Sequence, residues 1–110
     1  MDARDRQALV DIQGVLDRAL GYPIHNEETF VAKDYLQDAV IRCLEILGEA
    51  TKRLSPEFRR RHPDLPWRAM AGMRDVLIHA YDQVDLEEVW MAYLRFAEIR
   101  REINGILNQS

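Results

Sequence analysis

The sequence predicts an all-α bundle of four main helices plus short helices, and three observations carry that prediction. Apolar residues recur at the helical period in long blocks, several blocks open on a capping residue, and no stretch alternates apolar and polar residues as a half-buried strand would. Helix faces of this kind bury themselves against one another. The 110 residues fit a single domain spanning 1–110, long enough for one modest core and too short for two. With 47% hydrophobic and 31% charged residues the composition is that of a packed globular chain, not a disordered one.

The first block runs from Asp2 to Leu20, where Leu9, Ile12, Leu16 and Leu20 recur with Ala8, Val15 and Ala19 beside them, and Gly21 stops it. Residues 22–26 read as a loop, and Asn26 suits the cap of a short turn through Phe30. A second long helix is expected from about Asp34 to Leu54, with Leu36, Val40, Cys43, Leu47, Ala50 and Leu54 in one stripe. Ile41, Leu44 and Gly48 lie to one side of that stripe. A domain this small has little use for two buried faces on one helix, so these three are candidate homodimer-interface residues.

Ser55 followed by Pro56 starts a short helix that carries Arg59, Arg60 and Arg61. His62-Pro63 and Leu65-Pro66 form a rigid corner, because each proline biases its preceding residue toward extended backbone. Pro66 opens the next helix, which is expected to fray near Tyr81. Asp85, with Glu88 three positions on, caps a final helix reaching about Leu107, with Val89, Tyr93, Phe96, Ile103 and Leu107 on its apolar face and Asn104-Gly105 near its end. There is no internal repeat and no low-complexity segment.

Charge and cysteine content exclude several classes. A net charge of −4 argues against a surface coated for non-specific nucleic-acid binding, although Arg59, Arg60, Arg61 and Arg68 cluster in one short span and are candidate RNA-backbone contacts. Cys43 is the only cysteine, so no intrachain disulfide forms, and its place on the apolar stripe suits a small buried residue. No apolar run approaches the roughly 20 residues needed to cross a bilayer, and the charged start Met1–Arg6 is unlike a signal peptide, so the cytoplasm is the expected compartment. His25 and His62 have no partner at metal-ligand spacing, and Glu45 and Glu49 lack the histidines of a di-iron bundle and are expected to be solvated or paired with Arg42 and Arg53. No metal and no cofactor are expected.

The stretch from Gly72 to Tyr81 is where ionisable residues interrupt an apolar helix. At about 100° per residue Asp75 and His79 fall on one face with Arg74 beside Asp75, while Met73, Val76, Leu77 and Ala80 turn away. Histidine exchanges protons near neutral pH, and a guanidinium matches phosphate oxygens with a planar fork, so Arg74, Asp75 and His79 suit metal-free cleavage of a phosphodiester. The bland reading of the same spacing is a surface ion pair with a helix-end histidine, and Tyr81 reads as an ordinary boundary tyrosine.

Arg74-Asp75-Val76-Leu77-Ile78-His79-Ala80-Tyr81 resembles the Arg-x4-His-x-Tyr motif of the HepT-like toxins of the HEPN superfamily, and the likeness extends over most of residues 34–90, through Glu45–Ala50, Arg53–Pro56, His62-Pro63, Pro66–Arg68 and Val84–Trp90. This resemblance implies a HEPN-like homodimeric helical bundle in which the motifs of two subunits meet in one cleft as a metal-independent endoribonuclease. It also implies Arg74 and His79 as the catalytic pair, Asp75 as their polar neighbour where asparagine is also common, and Tyr81 as the tyrosine to which a partner nucleotidyltransferase antitoxin of the MntA type, in a type VII toxin–antitoxin pair, transfers AMP. The alternatives are a non-catalytic HEPN binding module that partners a nucleotidyltransferase, and a helical dimerisation protein with no nucleic-acid role.

Overall fold

The computed structural model describes residues 1–79 and 85–109, and for residues 74–79 the backbone alone. Helix α1 spans Ala3–Leu20, α2 Glu27–Ala32, α3 Asp34–Lys52, α4 Pro56–Arg61, α5 Trp67–His79, α6 Leu86–Leu94 and α7 Phe96–Asn108. Among the described residues there is no strand, and no helix is long and apolar enough to cross a membrane.

Local chemistry explains most boundaries. Asp2 caps α1 by accepting from the Asp5 amide at 2.8 Å, and Asn26 caps α2 by accepting from the Thr29 amide at 2.8 Å. Gly21 ends α1 as expected, but with φ −86° it stays right-handed and is not a left-handed glycine cap. The six residues of α2 could not hold a helix alone. They are anchored by Phe30, which is fully buried and contributes about 2 kcal/mol, and by the Gln37 amide, which donates to the Phe30 and Val31 carbonyls at 3.1 and 2.9 Å.

Helix α3 is the centre of the bundle, packing against α1, α2, α5 and α6. Its predicted stripe is buried throughout, from Leu36 through Val40, Cys43, Leu47 and Ala50 to Leu54 just beyond its end. The seam expected to await a second copy is largely occupied within the chain. Leu44 belongs to the core and Gly48 is buried, which leaves Ile41 half-buried, because α3 is flanked by α1 and α5 together and one stripe cannot serve both. Arg42 pairs with Glu45 at 3.2 Å as expected, whereas Arg53 reaches across to Asp11 of α1 at 2.7 Å. That guanidinium holds the Asp11 carboxyl below its ordinary value of 3.8, with the Gln7 amide adding to it.

The single final helix expected from Leu86 to about Leu107 is two helices. They join at Arg95, whose amide donates to the Ala92 carbonyl at 3.1 Å, three residues back instead of four. No proline or glycine marks the break. Its physical basis lies in packing: α6 lies on α2 and α3 while α7 lies on α1, and one straight rod would not serve both. The rings of Trp90, Tyr93 and Phe96 run continuously across the join at 5.6 Å spacings, and Phe30 meets Trp90 at 5.4 Å. Asn104 bonds the Gln13 amide of α1 at 2.8 Å, so it serves packing as well as the helix end.

Among the described residues one charged side chain is buried. Asp5 is 4% exposed and its two oxygens accept from the Ser55 amide and the Ser55 hydroxyl, each at 2.8 Å. The same hydroxyl oxygen caps α4 by accepting from the Phe58 amide at 3.1 Å, so Asp5 aims the cap as well as bonding the turn. Asp5→Ala would leave the Ser55 amide without its acceptor and is expected to cost roughly 2–3 kcal/mol in urea unfolding. Asp5→Asn, which keeps one acceptor, is expected to cost less, and equal losses for the two would show that the bonds to Ser55 are not what the carboxylate provides.

Candidate functional site

The helix that carries the predicted site is positioned at its start, by the corner at residues 62–66. The Trp67 indole N–H donates to the His62 carbonyl at 2.7 Å, and the Trp67 amide donates to the Leu65 carbonyl at 2.9 Å. The Phe58 ring meets His62 at 4.6 Å and Trp67 at 5.8 Å. Leu65, Trp67 and Met70 are buried, so the first turn of α5 is fixed against the core from both sides of the corner.

From that fixed start the helical backbone runs without interruption to His79. At about 100° per residue, positions 75 and 79 lie about 40° apart around the axis, which agrees with the shared face read from the sequence. Position 74 is different. It follows Trp67 by seven residues and Met70 by four, and stands about 140° from position 79. A single copy of this helix therefore brings positions 75 and 79 onto one face and leaves position 74 on another. Tyr81 lies outside the described residues.

The predicted arginines separate into three kinds. Arg59 is half-buried and donates to the Thr51 carbonyl at 2.8 Å, closing the last turn of α3, and its Nε is buried with no hydrogen-bond partner among the described residues. Arg61 pairs with Glu57 at 2.6 Å on the surface. Arg60 and Arg68 are exposed. Three consecutive arginines thus do not present one basic face, because α4 turns the first of them inward. Ile41 is half-buried, while Leu44 and Gly48 are buried within the chain. Among the described residues no group of three His, Cys, Asp or Glu side chains could hold a metal.

Sequence reading missed Asp5, and a signal for it was present. Asp5 stands three, four and seven residues before Ala8, Leu9 and Ile12, the register of the buried face, and a charged residue in that register requires a buried partner. The partner, Ser55, lies fifty residues away and could not be named from spacing.

The model of the ribonuclease HepT-like family matches residues 12–104. The chain belongs to this family. Two Methanocaldococcus jannaschii proteins, each provisionally named an RNase, are 38% identical over 110 residues; the matches cover 97% of this chain and 91% and 95% of theirs. A Thermococcus cleftensis protein provisionally named ribonuclease HepT is 54% identical over 63 residues, which is 57% of each chain. No solved structure matches the chain. The matched span of this HepT-like protein includes the corner, all of α5 and residue 81.

Its one thiol is not placed as a nucleophile. Burial pushes the Cys43 thiol above its ordinary value of 9.0, against a smaller opposing pull from the Tyr22 hydroxyl 3.9 Å away. Burial likewise raises the Tyr22 and Tyr93 hydroxyls above 10.0, with the Cys43 contact adding to the shift at Tyr22. Since each group gives up its proton earlier in the unfolded chain than in the folded one, stability is complete below about pH 9 and is lost as pH rises through the folded values. The urea-unfolding midpoint is expected to hold from about pH 7 to 9 and then fall. Cys43→Ala removes the earliest part of the fall and leaves the tyrosine part above about pH 10; a profile identical to the parent's would contradict the burial of this thiol.

Proposed function

We propose that this HepT-like protein is a metal-independent endoribonuclease and the toxin of a type VII toxin–antitoxin pair, acting in the cytoplasm as a homodimer. The observation that carries the reading is the family match, which spans the whole string Arg74-x4-His79-x-Tyr81. In this reading His79 takes the proton of a ribose 2′-hydroxyl, the 2′-oxygen attacks the adjacent phosphorus, and the bond from phosphorus to the 5′-oxygen breaks. The departing 5′-oxygen takes up a proton, leaving a 2′,3′-cyclic phosphate and a 5′-hydroxyl end. Arg74 meets the charge that gathers on the phosphoryl oxygens, and Asp75 orients the imidazole.

Helix geometry supports the dimeric form of this mechanism. Positions 74 and 79 of one α5 stand about 140° apart and about 7.5 Å along the axis, so one helix does not present both to a single phosphate in the simplest way. Two copies arranged around a shared cleft supply an arginine from one helix and a histidine from the other. Ile41 is the retained interface candidate on α3, and Arg60 and Arg68 are exposed for the RNA backbone.

Control is assigned to Tyr81. A partner nucleotidyltransferase of the MntA type would join the Tyr81 hydroxyl oxygen to the α-phosphorus of ATP with loss of pyrophosphate, and the added AMP would set negative charge near Arg74 in competition with RNA.

RNA cleavage in the presence of EDTA is expected to persist in the parent and to drop at least about 100-fold in His79→Ala and in Arg74→Ala, with helix content unchanged. Equal cleavage by all three would remove the enzyme and leave a non-catalytic binding module, and a monomeric mass at high concentration would remove the shared cleft. Co-expression with a nucleotidyltransferase of the MntA type is expected to add one or more AMP units to Tyr81. Intact-mass analysis that finds Tyr81 unmodified, in cells where the partner neutralises the protein, would sink the proposed means of control.

A further inference from the structure

A groove of about 400 Å³ lies between the corner at residues 62–66 and the last turns of α7, away from the motif residues of α5. That volume is within the range of sites that enclose a small ligand. Arg61 and Arg101 line it, and Arg101 is exposed with no ion pair to a described residue. The Glu57 partner of Arg61 is itself exposed, so that pair holds the guanidinium only weakly and leaves it free to turn to an anion. One wall is rigid and partly aromatic: His62 lies against Phe58, its carbonyl is fixed by the Trp67 indole, and Pro63 follows.

The opposite wall contains a glycine that the fold does not require. Gly105 sits within α7, where glycine weakens a helix relative to alanine, yet a Cβ built there would meet nothing within 4 Å. Gly105 lines the groove, and the space at its Cβ position is open. Asp64 and Glu102 also line it, which makes it a poor trap for bare phosphate, but carboxylates and the Gln109 amide are groups that pair with the amino and carbonyl edges of a base.

We propose that this groove is a ribonucleotide subsite that grips single-stranded RNA outside the cleavage point, with Arg101 and Arg61 on a phosphate and a base laid along His62 and Pro63. Cationic grooves with a stacking platform are how single strands are held. The inference rests on the proposed ribonuclease function. The corner that lines the groove feeds directly into α5, and Trp67 at the start of α5 lies about 10 Å along the helix from position 74, so in this reading a strand seated in the groove would reach the motif within a few nucleotides.

The test uses the full chain carrying His79→Ala, so that RNA is bound and not cut, and follows a fluorescent single-stranded oligoribonucleotide by anisotropy. Gly105→Leu adds bulk at a groove-lining position whose Cβ site is open, and it and Arg101→Gln are each expected to weaken binding about tenfold, the size of one lost stacking or phosphate contact. Gly105→Ala, which leaves room, is expected to stay within about twofold, and none of the three variants is expected to unfold below the parent midpoint. Unchanged binding in Gly105→Leu would overturn the subsite, as would failure of the His79→Ala chain to bind RNA at all. If AMP alone binds as tightly as the oligoribonucleotide and displaces it, the groove belongs to a free nucleotide and the RNA assignment is wrong. In the otherwise unaltered chain, Gly105→Leu is expected to raise KM for the oligoribonucleotide while leaving cleavage of a dinucleotide, too short to reach the groove, as it was. A chain that binds RNA in this groove but cuts none would defeat the ribonuclease proposal and leave the subsite standing.

Discussion

The constraint on which the structure depends is that α3 is covered by α1, α2, α5 and α6 at once. A helix covered on several sides needs more than one apolar stripe, and Leu44 and Gly48 provide the addition to the stripe from Leu36 to Ala50. It also needs its end sealed, since the last carbonyls of a helix have no partners within it. The Thr51 hydroxyl donates back to the Leu47 carbonyl at 2.7 Å, the Arg59 guanidinium donates to the Thr51 carbonyl, and Asp5 binds Ser55 just beyond. These contacts at one end of α3 fix where α4 begins, which fixes the corner, and the corner fixes the start of α5. Placement of the motif residues is therefore decided well away from them.

Arg59 shows how that chain of support competes with function. In the sequence it is one of three adjacent arginines and looks interchangeable with Arg60 and Arg61 as a contact for a phosphate backbone. In the fold its guanidinium is committed to a backbone carbonyl, with Nε buried, so neutralising an RNA phosphate with it would uncover the end of α3. Arg60 and Arg68 carry no such duty and remain open to solvent. A basic run on a short helix divides by direction: residues a turn apart share a fate, and neighbours do not.

What was legible in the sequence was local. The caps at Asn26, Ser55 and Asp85 announce their helices within three residues, and the stripes of α1 and α3 repeat often enough to be read without a partner in view. What was not legible depends on which helix lies opposite. The break at Arg95 has no breaker residue and arises because α6 and α7 serve different neighbours. Leu44 and Gly48 read as a second apolar face in the sequence, and which element covers that face depends on the fold, where both are buried within the chain. Asp5 was visible as a charge in an apolar register, but its meaning is a contact with Ser55 that only the fold supplies.

The place of Asp75 follows from the same reasoning about direction. As a neighbour in sequence to Arg74 it looks like that residue's partner, yet adjacent positions on a helix stand about 100° apart and do not face each other. Positions 75 and 79, one turn apart on a helix that continues to His79, share a face. In the proposed mechanism that shared face is what would let Asp75 steady the imidazole, with the arginine that meets the same phosphate coming from a second helix. An asparagine at this position would still accept a hydrogen bond from a ring N–H, although without a charge to favour the imidazolium. In the proposed site a carboxylate at position 75 would strengthen His79 as a base but would stand near the phosphate that must approach it, and the two effects would balance only if a guanidinium neutralised that phosphate first. In the proposed dimer the arginine of the opposing copy would occupy that place, which makes assembly of two chains a condition for the chemistry of each.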